Sequence, residues 1–165
     1  MESVEDLVAI HGQALFRLAF MLTGQRQAAE DLYQEALLQI HRNLSRVVRA
    51  RSPGAYAKRV MVNAFISSRR RRSSTEVVAE SPYASREPMN SDMESDVVER
   101  DRLWRLLTQL PAAERAALVL KYYEDLSDQQ AADLLGCRAS TVRANVARAR
   151  TRLREQLVSE GRVSP

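Results

Sequence analysis

Arginines, hydroxyl groups and small side chains are concentrated between residues 138 and 154, and their chemistry suits contact with DNA. A guanidinium group donates paired hydrogen bonds to guanine or phosphate, and small side chains let a helix approach a groove closely. Such contacts need one rigid element that presents them together. The candidate DNA-contacting residues are Arg138, Ser140, Thr141, Arg143, Ala144, Asn145, Ala147, Arg148, Arg150 and Arg152.

The sequence around these residues predicts a helix-turn-helix. Ser127 and Gln130 have the spacing of a capping box at the start of a helix over 128–135, and Gly136 ends that helix. A second helix, over 139–155, has an inward-facing apolar stripe formed by Val142, Val146, Ala149 and Leu153. Its opposite face would enter the major groove, with the later arginines along the phosphate backbone. An ordinary helical hairpin with a charged surface is the alternative.

A leucine lies within the polar face of a helix predicted over 26–45. The buried stripe of this helix is formed by Ala29, Leu32, Tyr33, Ala36, Leu37 and Ile40. The opposite side carries Asp31, Gln34, Glu35 and Leu38. Single exposed apolar residues are common, but a leucine flanked by an amide and carboxylates also suits the docking of another protein. We therefore take these four residues as a candidate protein-binding face.

A third set of candidates lies on a helix predicted from Pro53 to residue 71, with Ser52 and Pro53 favouring its start. A stripe about 80° wide carries Tyr56, Arg59, Asn63, Ser67 and Arg70. These groups suit single-stranded DNA, because a ring can stack on a base, an amide can read its edge and guanidinium groups can hold phosphates. For the tyrosine, the alternative is half-buried packing against the protein. For the run of arginines that begins at Arg69, a solvated helix end is a sufficient explanation. Met61 and Phe65, on the reverse face, should be buried.

Helical spacing dominates the whole chain and predicts an all-α fold. The sequence has only five glycines and five prolines, and its apolar residues recur at three- and four-residue steps. Helices are predicted over 3–22, 26–45, 53–71, 95–108, 112–123, 128–135 and 139–155. The segment 73–93 is rich in serine, proline and acidic residues, which is typical of a flexible linker. Two small helical domains, 1–72 and 94–157, would be joined by this acidic linker and followed by a tail, 158–165.

Charge is segregated along the chain. Residues 1–72 carry twelve basic against six acidic residues, 73–99 carry one against seven, and 100–165 carry twelve against eight. Two basic modules joined by an acidic segment suggest a shared polyanionic partner, although solvated helix faces would give the same totals.

Several classes of protein do not fit the sequence. The single Cys137 excludes a disulfide framework or a cysteine zinc cluster and fits a reducing compartment. His11 and His41 have no partners at metal-ligand spacing, and neither a phosphate-binding Walker loop nor a nucleophile–base pair is present. The sequence has no signal-peptide pattern and no apolar run of membrane-spanning length. We therefore expect a cytoplasmic protein that has no membrane insertion, no cofactor or metal, and no enzymatic activity.

The C-terminal sequence resembles region 4 of bacterial extracytoplasmic-function sigma factors, a group of the sigma-70 family, and is similar to its sigma-E-like actinobacterial members. The resemblance lies in LPAAERAALVLKYYEDLSDQQAADLLGCRASTVRANVARARTRL. The matching residues are Leu110, Pro111, Arg115, Tyr122, Leu126, Ser127, Ala132, Leu135, Gly136, Thr141, Val142, Arg143, Arg148, Ala149 and Arg150. Asn145 stands where the family usually has a basic residue.

The N-terminal sequence is similar to region 2 of the same family, in AAEDLYQEALLQIHRNL and SPGAYAKRVMVNAFISSRRRR. Arg59 and Asn63 match the family pattern, Tyr56 stands where tryptophan is common, and Ser67 replaces a frequent aspartate. The resemblance implies that the clamp coiled coil of RNA polymerase is bound by Asp31, Gln34, Glu35 and Leu38.

Together the resemblances cover roughly 7–72 and 95–157 in the family's order, which implies a transcription initiation factor. Region 4 would bind the polymerase flap and read the duplex −35 element, while region 2 would trap unstacked non-template bases of the −10 element. The family commonly also has an anti-sigma partner. Two other interpretations stay open. An ordinary helix-turn-helix regulator leaves the N-terminal surfaces unassigned, and a nucleic-acid-processing enzyme lacks a catalytic cluster.

Overall fold

The computed structural model describes residues 3–74 and 94–161, and the regular structure within them is helical. The helices are α1 (Val4–Thr23), α2 (Arg26–Arg42), α3 (Leu44–Arg49), α4 (Pro53–Ser74), α5 (Glu94–Thr108), α6 (Ala112–Tyr122), α7 (Asp128–Leu135) and α8 (Ala139–Ser159). The chain divides into two compact units, Met1–Val78 and Ala79–Pro165, which we call the N-terminal and C-terminal units. The predicted all-α fold is confirmed.

Helices α1, α2 and α4 form the core of the N-terminal unit, and each packs against the other two. Ser3 caps α1, because its Oγ accepts a 3.1 Å hydrogen bond from the Asp6 backbone N–H. Gly24 follows the helix with a left-handed φ of 74°. The core is centred on the buried side chains of Leu7, Leu15, Leu18, Leu22, Ile40, Met61, Val62 and Phe65. The predicted burial of Met61 and Phe65 is therefore confirmed.

The helix predicted over 26–45 is two helices in the structure, so its predicted end was wrong. α2 ends at Arg42, and α3 begins after Asn43, whose Nδ2 donates a 3.0 Å hydrogen bond to the Gln39 carbonyl. An asparagine that bonds to nearby backbone competes with the helical ladder, which explains the break. Val47 of α3 is fully buried, and α3 packs against α4.

The start of α4 is fixed by a cap and by a close contact with α1. Ser52 Oγ accepts a 3.3 Å hydrogen bond from the Ala55 N–H, and Pro53 is the first helical residue, as predicted. A Cβ added to Gly54 would lie 2.7 Å from His11 Cε1. Glycine at this position therefore lets the imidazole lie directly against the first turn of α4.

Helix α8 is the central element of the C-terminal unit and packs against α5, α6 and α7. One apolar cluster in this unit is formed by Leu107, Leu110, Ala149, Trp104, Leu118 and Leu153. Helix α6 adds the fully buried Ala116, Ala117 and Leu120. Helix α8 continues to Ser159, beyond its predicted end at residue 155, because residues 156–158 are still partly buried.

Most of the predicted linker lies outside the described residues. Of the segment 73–93, only residues 73 and 74 are described, and both belong to α4. Residues 162–165 of the predicted tail also lie outside the described residues. Within 3–74 and 94–161, no helix is long and apolar enough to cross a membrane.

Candidate nucleic-acid interface

Helix α7, residues 136–138 and helix α8 form the predicted helix-turn-helix. The capping box is confirmed, because the Gln130 N–H donates to Ser127 Oγ at 3.1 Å and the Ser127 N–H donates to Gln130 Oε1 at 2.9 Å. Gly136 ends α7 with a left-handed φ of 67°, and a Cβ added there would meet no atom within 4 Å. The backbone conformation, not packing, therefore favours glycine in the turn.

Helix α8 buries the predicted apolar face and exposes the opposite one. Val142 and Ala149 are fully buried, Val146 is nearly so, and Leu153 is half-buried. The exposed side chains on the outer side are Ser140, Thr141, Arg143, Ala147, Arg148, Arg150 and Arg152. Arg138 in the turn is also exposed, and Ala144 is half-buried. One surface of the C-terminal unit therefore brings most of the candidate DNA-contacting residues together.

Asn145, one of the candidate DNA-contacting residues, is not exposed on the surface of α8. Only 9% of the residue is exposed, and its Oδ1 accepts a 2.9 Å hydrogen bond from Arg148 Nη1. Because Asn145 follows Val142 by three residues and precedes Ala149 by four, it lies beside the buried face of α8. In this structure the Asn145 amide holds the Arg148 guanidinium and is itself nearly covered, which corrects the expected exposure.

Arg143 lies beside a carboxylate that sequence reasoning missed. Asp128, the first residue of α7, has Oδ1 2.8 Å from Lys121 Nζ and Oδ2 3.5 Å from Arg143 Nη1. The hydrogen bond from Lys121 holds the pKa of Asp128 below its usual value, and Arg143 lowers it further. The acidic first turn of α7 is visible in the sequence, but its partners come from α6 and α8.

Arg152 is also paired, in this case with a buried acid. Its Nε lies 3.0 Å from Glu114 Oε2, and the Glu114 side chain is only 6% exposed. By contrast, within the described residues, the side chains of Arg138 and Arg150 make no ion pair or hydrogen bond. The arginines of this surface therefore differ in how firmly they are held before any nucleic acid is bound.

The predicted stripe on α4 is presented on the surface of the N-terminal unit. Arg59, Asn63, Ser67 and Arg70 are exposed, and Tyr56 is half-buried. Arg69 is half-buried, and its guanidinium carbon lies 5.6 Å from the centroid of the Phe65 ring, in cation–π contact. The stripe thus combines an aromatic ring, an amide and exposed arginines along one helix.

The candidate protein-binding face lies on α2. Asp31, Gln34 and Leu38 are exposed, with 58% of Leu38 accessible, and Glu35 is half-buried. Arg71 of α4 lies 3.0 Å from Glu35, a pair that sequence reasoning missed because 36 residues separate its members. Asp31 Oδ1 accepts a 3.1 Å hydrogen bond from Gln27 Nε2. The four predicted residues therefore form one face with an accessible leucine and anionic neighbours.

No alternative chemistry stands out in the part of the chain that the structure describes. There, no group of three or more histidine, cysteine or acidic residues could hold a metal ion. Burial raises the pKa of the Cys137 thiol, which lies in the turn of the helix-turn-helix. That shift keeps the thiol protonated near neutral pH and disfavours it as a nucleophile.

Both units match known family models. Residues 7–75 match sigma-70 region 2, and residues 100–153 match sigma-70 region 4. The chain is 34% identical over 155 residues to the RNA polymerase sigma-E factor of Streptomyces coelicolor. This alignment covers 94% of the chain and 86% of the Streptomyces protein. The chain is 32% identical over 164 residues to the ECF RNA polymerase sigma factor SigE of Mycolicibacterium smegmatis. That alignment covers 95% of this chain and 62% of the mycobacterial protein.

A solved structure has the same fold. The sigma factor RpoE from Bartonella quintana, crystallised with the anti-sigma factor NepR, superposes with a TM-score of 0.73 at 25% identity. The superposition covers 95% of this chain and 98% of RpoE. Two helical units that match regions 2 and 4 in this order define a sigma-70-type transcription initiation subunit. The chain belongs to the extracytoplasmic-function sigma factors, as its sequence resemblance predicted.

Proposed function

We propose that this sigma factor binds core RNA polymerase and directs it to promoters through two different DNA surfaces. One observation carries the proposal. The same chain has a helix-turn-helix that bears arginines and, separately, a surface stripe of aromatic, amide and guanidinium groups. A duplex and an opened strand require these two kinds of chemistry.

The C-terminal unit would read the duplex −35 element with α8 in the major groove. Arg143 and Arg148 are exposed near the N-terminal half of α8, where a recognition helix contacts base edges. Both are also held by neighbouring side chains, which favours a defined approach to guanine. Arg150, further along the helix and without a partner within the described residues, is better suited to phosphate.

The N-terminal unit would hold the opened −10 element along α4. Tyr56 offers a ring on which an unstacked base can stack, while Arg59 and Arg70 supply positive charge for the strand. Asn63 lies between them with donor and acceptor groups for a base edge. Strand opening would be driven by selective binding of the single-stranded state, without a separate energy source.

The clamp coiled coil of polymerase would bind the α2 face formed by Asp31, Gln34, Glu35 and Leu38. The flap of polymerase would bind the C-terminal unit. The polymerase then supplies catalysis, and the sigma subunit has no catalytic site of its own. Because transcription takes place on the chromosome, this assembly acts in the cytoplasm. An anti-sigma factor is a further proposed partner, since the similar RpoE of Bartonella quintana was crystallised with one.

The test is transcription with purified components. We would mix the chain with sigma-free core polymerase and a library of promoter fragments, and sequence the run-off transcripts. The expected result is a set of transcripts that share two sequence elements and require both the chain and core. Core alone and the chain alone, assayed on the same library, are the controls.

A different result would identify the alternative function. If the chain bound selected fragments equally well with or without core and supported no transcript, it would be an ordinary helix-turn-helix regulator. Transcripts that start without a shared upstream sequence would contradict the promoter-reading roles of both units.

A further inference from the structure

Three charged side chains from three helices meet beside the proposed recognition surface. Lys121 lies in the last turn of α6, Asp128 opens α7, and Arg143 lies in the first turns of α8. The Asp128 carboxylate lies between the other two groups, 2.8 Å from Lys121 Nζ and 3.5 Å from Arg143 Nη1. The general role of the recognition helix does not explain why an acid lies on the DNA-facing side of this unit.

The carboxylate is the fixed member of this group. Its contact with Lys121 is short, both side chains are largely covered, at 29% and 25% exposed, and it lies at a helix N-terminus, where negative charge is stabilised. The contact with Arg143 is longer, and the Arg143 side chain is 60% exposed. Asp128 is therefore held by α6 and α7, while Arg143 contacts it at a longer distance and its side chain stays largely exposed.

We propose that Asp128 is a positioning residue that determines base specificity, because it directs the Arg143 guanidinium toward base edges and away from phosphates. The inference rests on the proposed function of α8. A carboxylate that engages one edge of a guanidinium restricts its rotation and leaves other donors for a bidentate base contact. The same negative charge repels DNA phosphates, so Arg143 loses less by facing a base than by turning toward the backbone.

Lys121 gives this arrangement its rigidity. Without the ammonium group, the carboxylate would be free to rotate and to follow Arg143 instead of directing it. Lys121 reaches Arg143 only through Asp128, and it would thereby influence which base is preferred. Both residues act through Arg143, so neither effect should survive its removal.

The experiment compares Asp128→Asn with the matched control Asp133→Asn in complete holoenzyme. Asp133 also lies on α7 and loses the same charge, but its Oδ1 accepts a 3.0 Å hydrogen bond from Gln129 on the same helix. Binding would be measured to promoters carrying each of the four base pairs at every −35 position, and to a promoter-free duplex. Circular dichroism and thermal melting would check the fold of each variant.

We expect Asp128→Asn to reduce discrimination at one base-pair position by about three-fold or more and to strengthen binding to the promoter-free duplex. Asp133→Asn should leave the base preferences unchanged. Lys121→Met, a second variant that retains the carboxylate, should reduce discrimination at the same position. In an Arg143→Ala background, Asp128→Asn should produce no further change in preference.

Two outcomes would overturn the inference while leaving the proposed function intact. One is an unchanged base profile in both Asp128→Asn and Lys121→Met, and the other is an unchanged profile in Arg143→Ala. The absence of core-dependent, promoter-specific binding by the unmodified chain would instead contradict the proposed function. If Asp128→Asn fails to fold, Lys121→Met and Arg143→Ala decide the question by the same criterion.

Discussion

Glu35 and Arg71 form an ion pair in which Arg71 Nη2 lies 3.0 Å from Glu35 Oε1, joining α2 to the last turns of α4. One partner belongs to the proposed polymerase-binding face, and the other follows directly after the proposed −10 stripe. The two side chains are 34% and 66% exposed, so the pair is weak enough to exchange partners. The proposed polymerase and promoter surfaces would therefore be linked by one accessible contact of the N-terminal unit.

Glu35→Gln should weaken binding to core polymerase several-fold without destabilising the protein. An exposed pair contributes at most about 1 kcal/mol to stability, so the melting temperature should change little. Affinity would be measured by fluorescence anisotropy of labelled chain titrated with core. Glu30→Gln is the matched control, since Glu30 is also on α2 and pairs with Arg26 at 3.4 Å. Equal losses in the two variants would mean that general charge, not this face, sets the affinity.

Leu38→Glu should abolish co-purification with core while preserving the helical content of the free protein. The leucine side chain is exposed, so a carboxylate there meets water in the free state but would be desolvated in a complex. Pull-down with tagged core and circular dichroism are the two measurements.

Leu37→Glu is the matched comparison, because the neighbouring leucine is half-buried on the core side of α2. It should lower the melting temperature, since a charge would enter an apolar contact. A Leu38→Glu protein that melts as early as Leu37→Glu would show that Leu38 supports the fold and would contradict its role in docking.

The sequence predicts single-helix features well and contacts between helices poorly. The Val142–Ala149 face and the Ser127 capping box depend on spacing within one or two turns, and both were predicted correctly. The burial of Asn145 was not predicted, although its spacing of three residues from Val142 and four from Ala149 places it beside the buried face. Pairs such as Arg152 with Glu114 were missed because helical periodicity gives a direction for a side chain but no partner.

Arg150→Ala and Arg152→Ala should weaken promoter binding in different ways. Arg150 has no partner within the described residues, so its loss should lower affinity for all sequences and reduce the salt dependence by about one counterion without changing stability. Arg152→Ala should also lower the melting temperature, because it leaves the buried Glu114 carboxylate without its ion pair. Salt-dependent binding and thermal melting separate the two effects.

The double variant Glu114→Gln with Arg152→Ala is the control for this difference. A neutral amide is less costly to leave buried than an unpaired carboxylate, so the double variant should recover part of the lost stability. If Arg152→Ala and Arg150→Ala had the same melting temperature, the contact with Glu114 would have no structural importance.

Tyr56→Ala should impair opening of the −10 element while leaving closed-duplex binding by the holoenzyme nearly unchanged. A stacked base contributes about 1–3 kcal/mol, and only an unstacked base can reach the ring. Opening would be followed by the fluorescence of 2-aminopurine in the −10 element. Tyr56→Phe keeps the ring and should open the promoter almost normally. Holoenzyme with Tyr56→Phe should also bind a promoter with a pre-formed bubble more tightly than holoenzyme with Tyr56→Ala.

Because Tyr56 is half-buried, thermal melting of both variants is needed as well. A lowered melting temperature in Tyr56→Ala together with equal binding of both variants to the bubble would assign the tyrosine to packing and not to the DNA strand.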